Sequence, residues 1–200
     1  MNCMKFLAVA LASVLTCAGA EPSPEKAKTM GSLSAPLRLD LYSDFTCPHC
    51  KMFHDQVLPK LINDFISPGK AYLVFHEYTL TGPGHEYSRE ASSYAAAAVR
   101  VGKYPQVAGA LFASQDSWAR TGKVWDVVAS VLTPAERTKV QALVKDPAVL
   151  ADVQHDLESG QTARVDRTPT LIITRRGKQT PWIYWNDYNL FKSFLDDQLK

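Results

Sequence analysis

Two cysteines separated by a proline and a histidine, in the stretch TCPHC at 46–50, are the side chains best suited to chemistry in this sequence. Such a pair can be a structural disulfide, half of a metal site, or a redox couple. The surrounding pattern places Cys47 where a predicted strand meets a predicted helix. Pro48 then fits the first helical position, where its missing N–H costs nothing. Cys50 falls at the third helical position on the same helix face, which brings the two sulfurs within bridging reach.

The predicted position of Cys47 favours its ionised form. A side chain at a helix N-cap accepts a hydrogen bond from the N–H of the third helical residue, here Cys50, and a thiolate accepts better than a thiol. The positive end of the helix dipole stabilises an anion at the same place. A protonated His49 would add a positive charge beside it. Because these effects favour the reduced and ionised pair, a Cys47–Cys50 disulfide is predicted to be a good oxidant.

The two other uses of the cysteine pair receive less support. A disulfide across so short a loop restricts the unfolded chain little and stabilises a fold weakly. A zinc or copper site needs four ligands with a paired spacing, and the sequence has no second pair of cysteines at this spacing. The histidines His54, His76, His85 and His155 lack such a spacing as well, and we interpret them as ordinary surface or strand residues. No metal site is predicted.

The amino terminus has the pattern of an export signal. A basic residue precedes a short apolar run and a small-residue end, AGA at 18–20, which predicts a cleaved signal peptide over residues 1–20. The apolar run is too short to span a bilayer permanently. A lipid anchor at Cys17 is the less favoured alternative, because Thr16 stands where lipoprotein signals usually carry a small residue. We therefore predict a periplasmic or otherwise extracytoplasmic protein.

Removal of the signal would leave Cys47 and Cys50 as the remaining cysteines, in a compartment where disulfides persist. The segment 1–20 holds one lysine and no acidic residue, so its loss lowers the formal net charge from +2 to +1. This near-neutral charge argues against a nucleic-acid partner. Residues 21–35 are rich in Pro, Ser, Gly and Lys and predict a flexible leader.

The first half of the remaining sequence predicts a strand, a helix and a second strand. Leu37, Leu39 and Leu41 alternate with polar residues, as in a strand. The cysteine stretch opens a helix that runs to about Phe65, with a kink or break predicted at Pro59. The segment AYLVFHEYTL, rich in β-branched and aromatic residues, follows as a strand.

The second half begins with a helical block that runs from about Glu86 and closes at Gly160. Two strands joined by a turn around Gly177 and a final amphipathic helix over 186–200 complete the chain. A β-α-β start and a β-β-α finish predict an α/β fold with one mixed sheet and helices on its faces. The helical block is an insertion between the halves, at about 86–164.

A proline ahead of the first of these late strands is the second informative spot. It lies in the stretch DRTPT at 166–170. An X-Pro bond is usually trans, so the simplest interpretation of Pro169 is a loop proline that starts a strand.

Taken together, these motifs resemble the DsbA-like thiol–disulfide oxidoreductases of the thioredoxin superfamily. SDFTCPHC is similar to their active-site segment, KMFHDQVLPKL to their broken active-site helix, and RTPTLII to the superfamily's Thr-Pro segment. The resemblance covers about residues 36–200. It implies a thioredoxin-like fold, a mixed central sheet flanked by helices, with the helical insertion. It also implies a cis bond before Pro169.

The resemblance also implies roles for particular residues. Cys47 would be the exposed nucleophile, Cys50 the buried resolving thiol with which it forms a redox-active disulfide, and His49 the residue that tunes Cys47. Thr168 and Pro169, with Pro48, would bind an extended substrate.

At one position the sequence departs from the family. Where many relatives keep a buried acid, six residues before Cys47, this chain has Leu41. Asp40 should point to the other face of the strand, and Glu77 in the neighbouring strand is a weak candidate for a substitute.

The hypothesis is an exported dithiol oxidase that exchanges disulfides with cysteine-containing substrate proteins. It would need no organic cofactor, and the resemblance implies a quinone-linked membrane partner that reoxidises it. A reductase or disulfide isomerase of the same fold is the first alternative. A non-catalytic, chaperone-like module that binds peptides is the second.

Overall fold

The computed structural model describes residues 24–200, in which five strands form one mixed sheet. The strands are β1 (Thr29–Met30), β2 (Leu37–Ser43), β3 (Ala71–Glu77), β4 (Thr170–Arg175) and β5 (Lys178–Trp182), and their order in the sheet is β1-β3-β2-β4-β5. β2 pairs parallel with β3, and every other pair is antiparallel. The predicted α/β fold with one mixed sheet is confirmed. The predicted signal peptide and Cys17 lie outside the described residues.

The helices lie on both faces of this sheet. They are α1 (Pro24–Ala27), α2 (Pro48–Met52), α3 (Leu58–Leu61), α4 (Ser88–Val99), α5 (Tyr104–Ala113), α6 (Gln115–Trp118), α7 (Val124–Ser130), α8 (Pro134–Leu143), α9 (Pro147–Thr162) and α10 (Tyr188–Gln198). One apolar core lies between the sheet, the active-site helix and α10, and a second fills the space among the inserted helices α4–α9. Within residues 24–200, no helix combines the length and the apolar character needed to cross a membrane.

The predicted flexible leader is wrong for residues 24–30. Residues 24–27 form α1, and β1 adds to the free edge of β3 through the pairs Thr29↔Val74 and Met30↔Leu73. Lys28 between them is only 4% exposed, because its ammonium group bonds to carboxylates in the core. The Pro, Ser and Lys content suggested a linker, but the long-range partners of Lys28 hold the segment in place.

The active-site helix continues past Pro59 to Ile66. Two wider π-helical turns, Phe53–Val57 and Ile62–Ile66, flank α3, which carries Pro59 in its first turn. A proline lacks the N–H that would close an α-turn, and the two π-helical turns stand on either side of the short helix that contains it. The kink or break predicted at Pro59 is thus found as a pair of π-helical turns, and the helix does not end there.

Gly160 was expected to close the inserted helical block, but the helix continues past it. α9 continues through Gly160 to Thr162. A Cβ at Gly160 would lie 2.5 Å from the ring of Tyr78 and 3.0 Å from that of Tyr42. The glycine therefore allows α9 to pack closely against the sheet, rather than ending the helix.

Candidate active site

Cys47 and Cys50 lie where β2 passes into α2, and both belong to the apolar cluster formed mainly by the inserted helices. Cys47 is the N-cap residue of α2, and Pro48 occupies the first helical turn. Cys50 is on the same face one turn later, and both cysteines are free thiols in the structure. Phe45 and Phe112, which pack against each other with ring centroids 4.9 Å apart, belong to the same apolar cluster as the two thiols. The predicted placement at the strand–helix junction is found.

The Cys47 thiol is unusually acidic. The hydrogen bond from the Cys50 side chain is the largest cause that lowers the pKa of Cys47, to about 6, against the opposing effect of burial. The Thr168 side chain and the backbone N–H groups of Cys50 and His49 lower it further. The Thr168 hydroxyl is buried and has no hydrogen-bond partner among the described residues, so it is free to donate when Cys47 ionises. Cys47 is therefore largely a thiolate at neutral pH.

Two expectations about Cys47 need correction. Its side chain accepts no capping hydrogen bond of normal geometry among the described residues: the Cys50 N–H donates to the Cys47 backbone carbonyl, 3.1 Å away, and the N–H groups of Cys50 and His49 act on the sulfur only through their proximity. Cys47 is also not an exposed residue, since only 6% of its surface is accessible, compared with 1% for Cys50. Cys47 is nevertheless the more accessible of the two residues.

Cys50 has the opposite electrostatic environment. Burial and the neighbouring Cys47 thiolate raise the pKa of Cys50 well above its usual value. The backbone N–H of Asp44 donates to the Cys50 sulfur at 3.4 Å and opposes this effect in part. The two thiols therefore differ in function: at neutral pH one is an anion and the other keeps its proton.

Pro48 and His49 form the exposed rim of the site. The His49 ring lies 6.0 Å from the ring of Trp185, between centroids. A protonated imidazole of His49 was expected to favour the Cys47 thiolate. In the structure the contribution of His49 comes from its backbone N–H, while its side chain points towards the aromatic rim.

The Thr168–Pro169 segment lies directly against Cys47. The peptide bond between these residues is cis, and the Thr168 carbonyl oxygen lies 3.5 Å from the Cys47 sulfur, where it accepts a hydrogen bond from the thiol when Cys47 is protonated. Both side chains are buried. The structure thus brings together two segments that are 121 positions apart in the chain.

A buried carboxylate that the sequence pattern did not indicate anchors the active-site loop. Asp44 is completely buried and accepts hydrogen bonds from the backbone N–H groups of Thr46 (2.6 Å) and Leu80 (2.7 Å) and from the hydroxyls of Thr46 and Ser88. Thr46 also bonds to His85 through Nδ1 at 2.7 Å. His85, expected to be an ordinary residue, therefore belongs to this network. Asp44 ties the loop to the start of the inserted helices.

Gln115 is the second anchor that the sequence analysis missed. Its amide nitrogen donates to the backbone carbonyl of Phe45 at 2.7 Å and to that of Cys47 at 3.0 Å. Gln115 is only 4% exposed and begins α6, far from the cysteines in sequence. A lone glutamine in a helical block gives no signal of such a role, because its partners are backbone atoms of a distant loop.

Leu41 and Asp40 lie on opposite faces of β2, as expected from strand geometry. Leu41 belongs to the apolar core, whereas Asp40 bonds to Arg38 and to His76. Glu77, paired in register with Ser43 of β2, is only 2% exposed and bonds to Lys28 at 2.6 Å. Among residues 24–200, no cluster of three or more His, Cys, Asp or Glu side chains is arranged to bind a metal ion.

Comparison with known proteins agrees with this fold and site. The sequence family described as Thioredoxin matches residues 23–196. Disulfide bond formation protein D of Bacillus subtilis is 25% identical over 189 residues, which cover 90% of this chain and 80% of that protein. The crystal structure of oxidised BdbD from Bacillus subtilis is 24% identical, with a TM-score of 0.69, and covers 90% of this chain and 96% of that chain. The crystal structure of alpha-DsbA1 from Wolbachia pipientis is 19% identical, with a TM-score of 0.67, and covers 86% and 90%.

The chain belongs to the thioredoxin family. Its similarity to disulfide bond formation protein D and the DsbA-type structures among its neighbours confirm the resemblance to DsbA-like proteins and the thioredoxin-like fold.

Proposed function

We propose that this protein is an exported thiol–disulfide oxidoreductase that oxidises cysteines in substrate proteins through Cys47 and Cys50. The observation that carries the proposal is the opposite shift of the two thiols, with the pKa of Cys47 lowered to about 6 and that of Cys50 raised. A thiolate stabilised in the reduced state makes the corresponding disulfide easier to reduce, and hence a better oxidant. Membership in the thioredoxin family and similarity to disulfide bond formation protein D support the class of protein-disulfide oxidoreductases.

The proposed reaction consists of two exchanges. A substrate thiolate attacks the Cys47 sulfur of the Cys47–Cys50 disulfide, so that a mixed disulfide forms and Cys50 leaves as a thiolate that takes up a proton. A second thiolate of the substrate then attacks the substrate sulfur in the mixed disulfide. The substrate leaves with its own disulfide, and Cys47 leaves as a thiolate, which its low pKa stabilises. The substrate loses two electrons and the Cys47–Cys50 pair gains them.

Thr168, Pro169 and Pro48 are the proposed substrate-binding residues. The carbonyl of Thr168 lies 3.5 Å from the Cys47 sulfur, and Pro48, next to Cys47 in the chain, is exposed. An extended substrate segment placed between them would bring its cysteine to Cys47. His49 and Trp185 border the same opening.

The proposed location is extracytoplasmic, with residues 1–20 as a cleaved signal peptide. In that compartment a membrane protein linked to quinones would reoxidise the reduced pair. This partner and the location are proposed from the sequence pattern and from the family resemblance.

The test combines a redox titration with an activity assay. The mature chain is equilibrated with glutathione buffers, and the fraction of the Cys47–Cys50 disulfide is measured by thiol trapping. The oxidised protein is then mixed with a reduced substrate protein, and disulfide formation is followed. We expect a potential more oxidising than that of glutathione and stoichiometric oxidation of the substrate. A potential as reducing as that of thioredoxin, with reduction of insulin, would assign the protein as a reductase instead.

The variant Cys47→Ser separates catalysis from peptide binding, with Ser130→Ala as a control at an exposed position of α7. The Cys47 variant should lose all oxidation of the substrate, and the Ser130 variant should keep it. The chaperone-like alternative would be indicated if the Cys47→Ser variant still bound the unfolded substrate and the unmodified protein did not oxidise it.

A further inference from the structure

The imidazole of His49 stands next to the reactive thiol in sequence but is not engaged with it. His49 is exposed and lies two positions after Cys47. Among residues 24–200 its ring nitrogens have no hydrogen-bond or ion-pair partner. The groups that stabilise the Cys47 thiolate are the Cys50 side chain, Thr168 and backbone N–H groups. An inference about what holds the imidazole elsewhere concerns the same site as the proposed function and rests on that function.

The ring of Trp185 contacts this imidazole. The two ring centroids are 6.0 Å apart, and the ring planes meet at 50°. Aromatic rings attract each other at centroid distances of about 4.5–7 Å. When the imidazole of His49 is protonated, the electron-rich indole attracts its positive charge as well. The contact therefore favours a position of the imidazole on the rim of the site.

Trp185 is itself held in place by the active-site helix. It lies between β5 and α10 in the chain, and it packs against the apolar core that the sheet shares with that helix. Its ring meets the ring of Phe53 edge to face, with centroids 6.3 Å apart and planes at 74°. Phe53 is 1% exposed and stands four positions after His49, so the two residues are neighbours on one helix face. Trp185 thus contacts two successive turns of this face, and the buried ring of Phe53 fixes its position.

An imidazole released from Trp185 would be directed towards Cys47. In a helix each Cα–Cβ bond tilts towards the N-terminus, so a side chain in the first turn reaches back towards the N-cap. His49 is in the first turn of α2, and Cys47 is the N-cap residue. A positive charge within about 4–6 Å of an acidic group lowers the pKa of that group by about 1 to 3. The released imidazolium would therefore have a thiolate to approach and to stabilise.

Other charged side chains of the active-site helix and of the segment that leads into β4 are already paired. Lys51 and Asp55 form an ion pair at 3.0 Å, and Asp55 also contacts Nδ1 of His54 at 3.3 Å. Arg167 is paired with Asp166 at 2.9 Å. The His49 imidazole differs from these groups, because an aromatic contact alone decides where its charge lies.

We propose that Trp185 is a positioning residue for the reaction, which holds the His49 imidazole on the rim and makes the protein a weaker oxidant than its Cys-Pro-His-Cys sequence alone would make it. Without the indole, the imidazolium would stabilise the Cys47 thiolate and with it the reduced pair. A more stable reduced pair corresponds to a disulfide that accepts electrons more readily. Trp185 thus sets the oxidising strength without touching either sulfur.

The test is a double-mutant cycle with Trp185→Ala, His49→Ala and their combination, in the full chain after signal removal. The ultraviolet absorbance of the thiolate gives the pKa of Cys47 in the reduced protein, and equilibration with glutathione gives the oxidising strength. Trp185→Ala should lower the pKa of Cys47 from about 6 by about 1 and raise the equilibrium constant for oxidation of glutathione roughly tenfold. His49→Ala alone should change this constant by less than about twofold, and in the Trp185→Ala background it should cancel the increase.

Trp185→Phe and Tyr184→Ala are the matched controls. Phenylalanine keeps a ring beside the imidazole, so Trp185→Phe should stay close to the unmodified protein in both measurements. Tyr184 is 61% exposed and packs on Trp182, so its replacement should change neither value. If Trp185→Ala has the same effect with and without His49, Trp185 acts only through the packing of the helix and the proposal is wrong.

His49→Ala changes an exposed position and decides the question even if Trp185→Ala fails to fold. A pKa of Cys47 that stays near 6 in this variant supports the proposal. A pKa raised by about 1 or more would show that the imidazole already acts on the thiolate, which would overturn the proposal. Oxidation of a substrate protein by the unmodified chain tests the proposed function separately. A protein that oxidises its substrate without coupling between His49 and Trp185 retains the function and loses only the role of Trp185.

Discussion

The two thiols of the site are neighbours on one helical turn, yet their protonation differs. The thiol of Cys50 supplies the largest stabilisation of the Cys47 thiolate, and that thiolate in turn helps to raise the pKa of Cys50. The low pKa of Cys47 is therefore a property of the pair more than of the helix end. In the reduced protein, the proton stays on the sulfur that solvent reaches least.

Replacement of Cys50 should reveal this dependence. Cys50→Ala removes the largest of the hydrogen bonds that stabilise the thiolate, so the pKa of Cys47 should rise above about 6. Cys50→Ser keeps a hydroxyl donor at the same place, and the pKa should stay lower than in the alanine variant. The ultraviolet absorbance of the thiolate, followed against pH, measures both. Equal pKa values in the two variants would show that Cys50 is not the source of the effect.

At the scale of residues, the sequence predicts the reactive thiols better than it predicts the side chains that hold their loop in place. The spacing of Cys47 and Cys50, with Pro48 between them, was enough to place both thiols at a helix start. The Thr-Pro stretch indicated the segment that faces them through its resemblance to a known family. Asp44 and Gln115 could not be predicted as anchors, because each acts on backbone groups or hydroxyls that come together only when distant segments pack.

At the scale of elements, the inserted helices form one side of the active site. α6 supplies Gln115 to the carbonyls of Phe45 and Cys47, and α5 supplies the Phe112 carbonyl, which accepts a hydrogen bond from Lys51 at 3.1 Å. α4 supplies Ser88 to the Asp44 carboxylate. The contacts of the inserted helices therefore fix the loop that carries the nucleophile.

Loss of the Gln115 contacts should affect both stability and activity. Gln115→Met keeps the side-chain length and leaves two buried carbonyls without a donor, which should lower the free energy of unfolding by about 1–3 kcal/mol. Urea denaturation of the reduced protein measures this change. The control is Gln154→Met on α9, where Gln154 bonds to Glu158 at the surface; there the change should stay within about 0.5 kcal/mol. Similar changes in both variants would show that Gln115 does not brace the loop.

At the scale of the whole molecule, a chain of buried charges joins segments that are far apart in sequence. His76 of β3 bonds to Asp40 of β2 through Nε2 and to Asp156 of α9 through Nδ1. Asp156 and Glu77 share Lys28 of the N-terminal segment. Breaking a buried ion pair by removing one partner is strongly destabilising. The network therefore attaches both the insertion and the N-terminal segment to the sheet.

The stability of the protein should depend on pH through His76. Although burial lowers the pKa of His76, hydrogen bonds and charge interactions with Asp156 and Asp40 outweigh it and raise the pKa to about 9. Because the folded pKa lies above the unfolded value, this contribution is fully present below pH 6.5 and is lost as pH rises through about 9. A neutral imidazole has one N–H for two carboxylates. The loss should be on the order of 3 kcal/mol.

Chemical denaturation at a series of pH values measures this effect, with His76→Gln as the comparison. The unmodified protein should lose stability between pH 6.5 and about 9, and the variant should lose much less over the same range. Parallel curves for the two proteins would assign the pH dependence to other groups.

The overall architecture could be predicted from the sequence because each strand and helix has its own local pattern. The alternation of Leu37, Leu39 and Leu41 and the resemblance to known proteins led to the correct α/β fold. The place of Lys28 could not be predicted, since a composition typical of linkers surrounds it and its partners lie in β3 and α9. The continuation of α9 past Gly160 depends on the aromatic rings that pack there.

The two edge strands of the sheet, β1 and β5, affect how other polypeptides can contact the protein. β1 is only two residues long, and β5 begins with Lys178 and contains Pro181, which has no N–H to offer a neighbour. Short, charged or proline-bearing borders discourage another polypeptide from continuing the sheet. If the proposed oxidation of unfolded substrate proteins is correct, such edge strands would keep those substrates from adding to the sheet and co-aggregating with the protein. Contact with them would then be confined to the region of Cys47, where a mixed disulfide can be reversed.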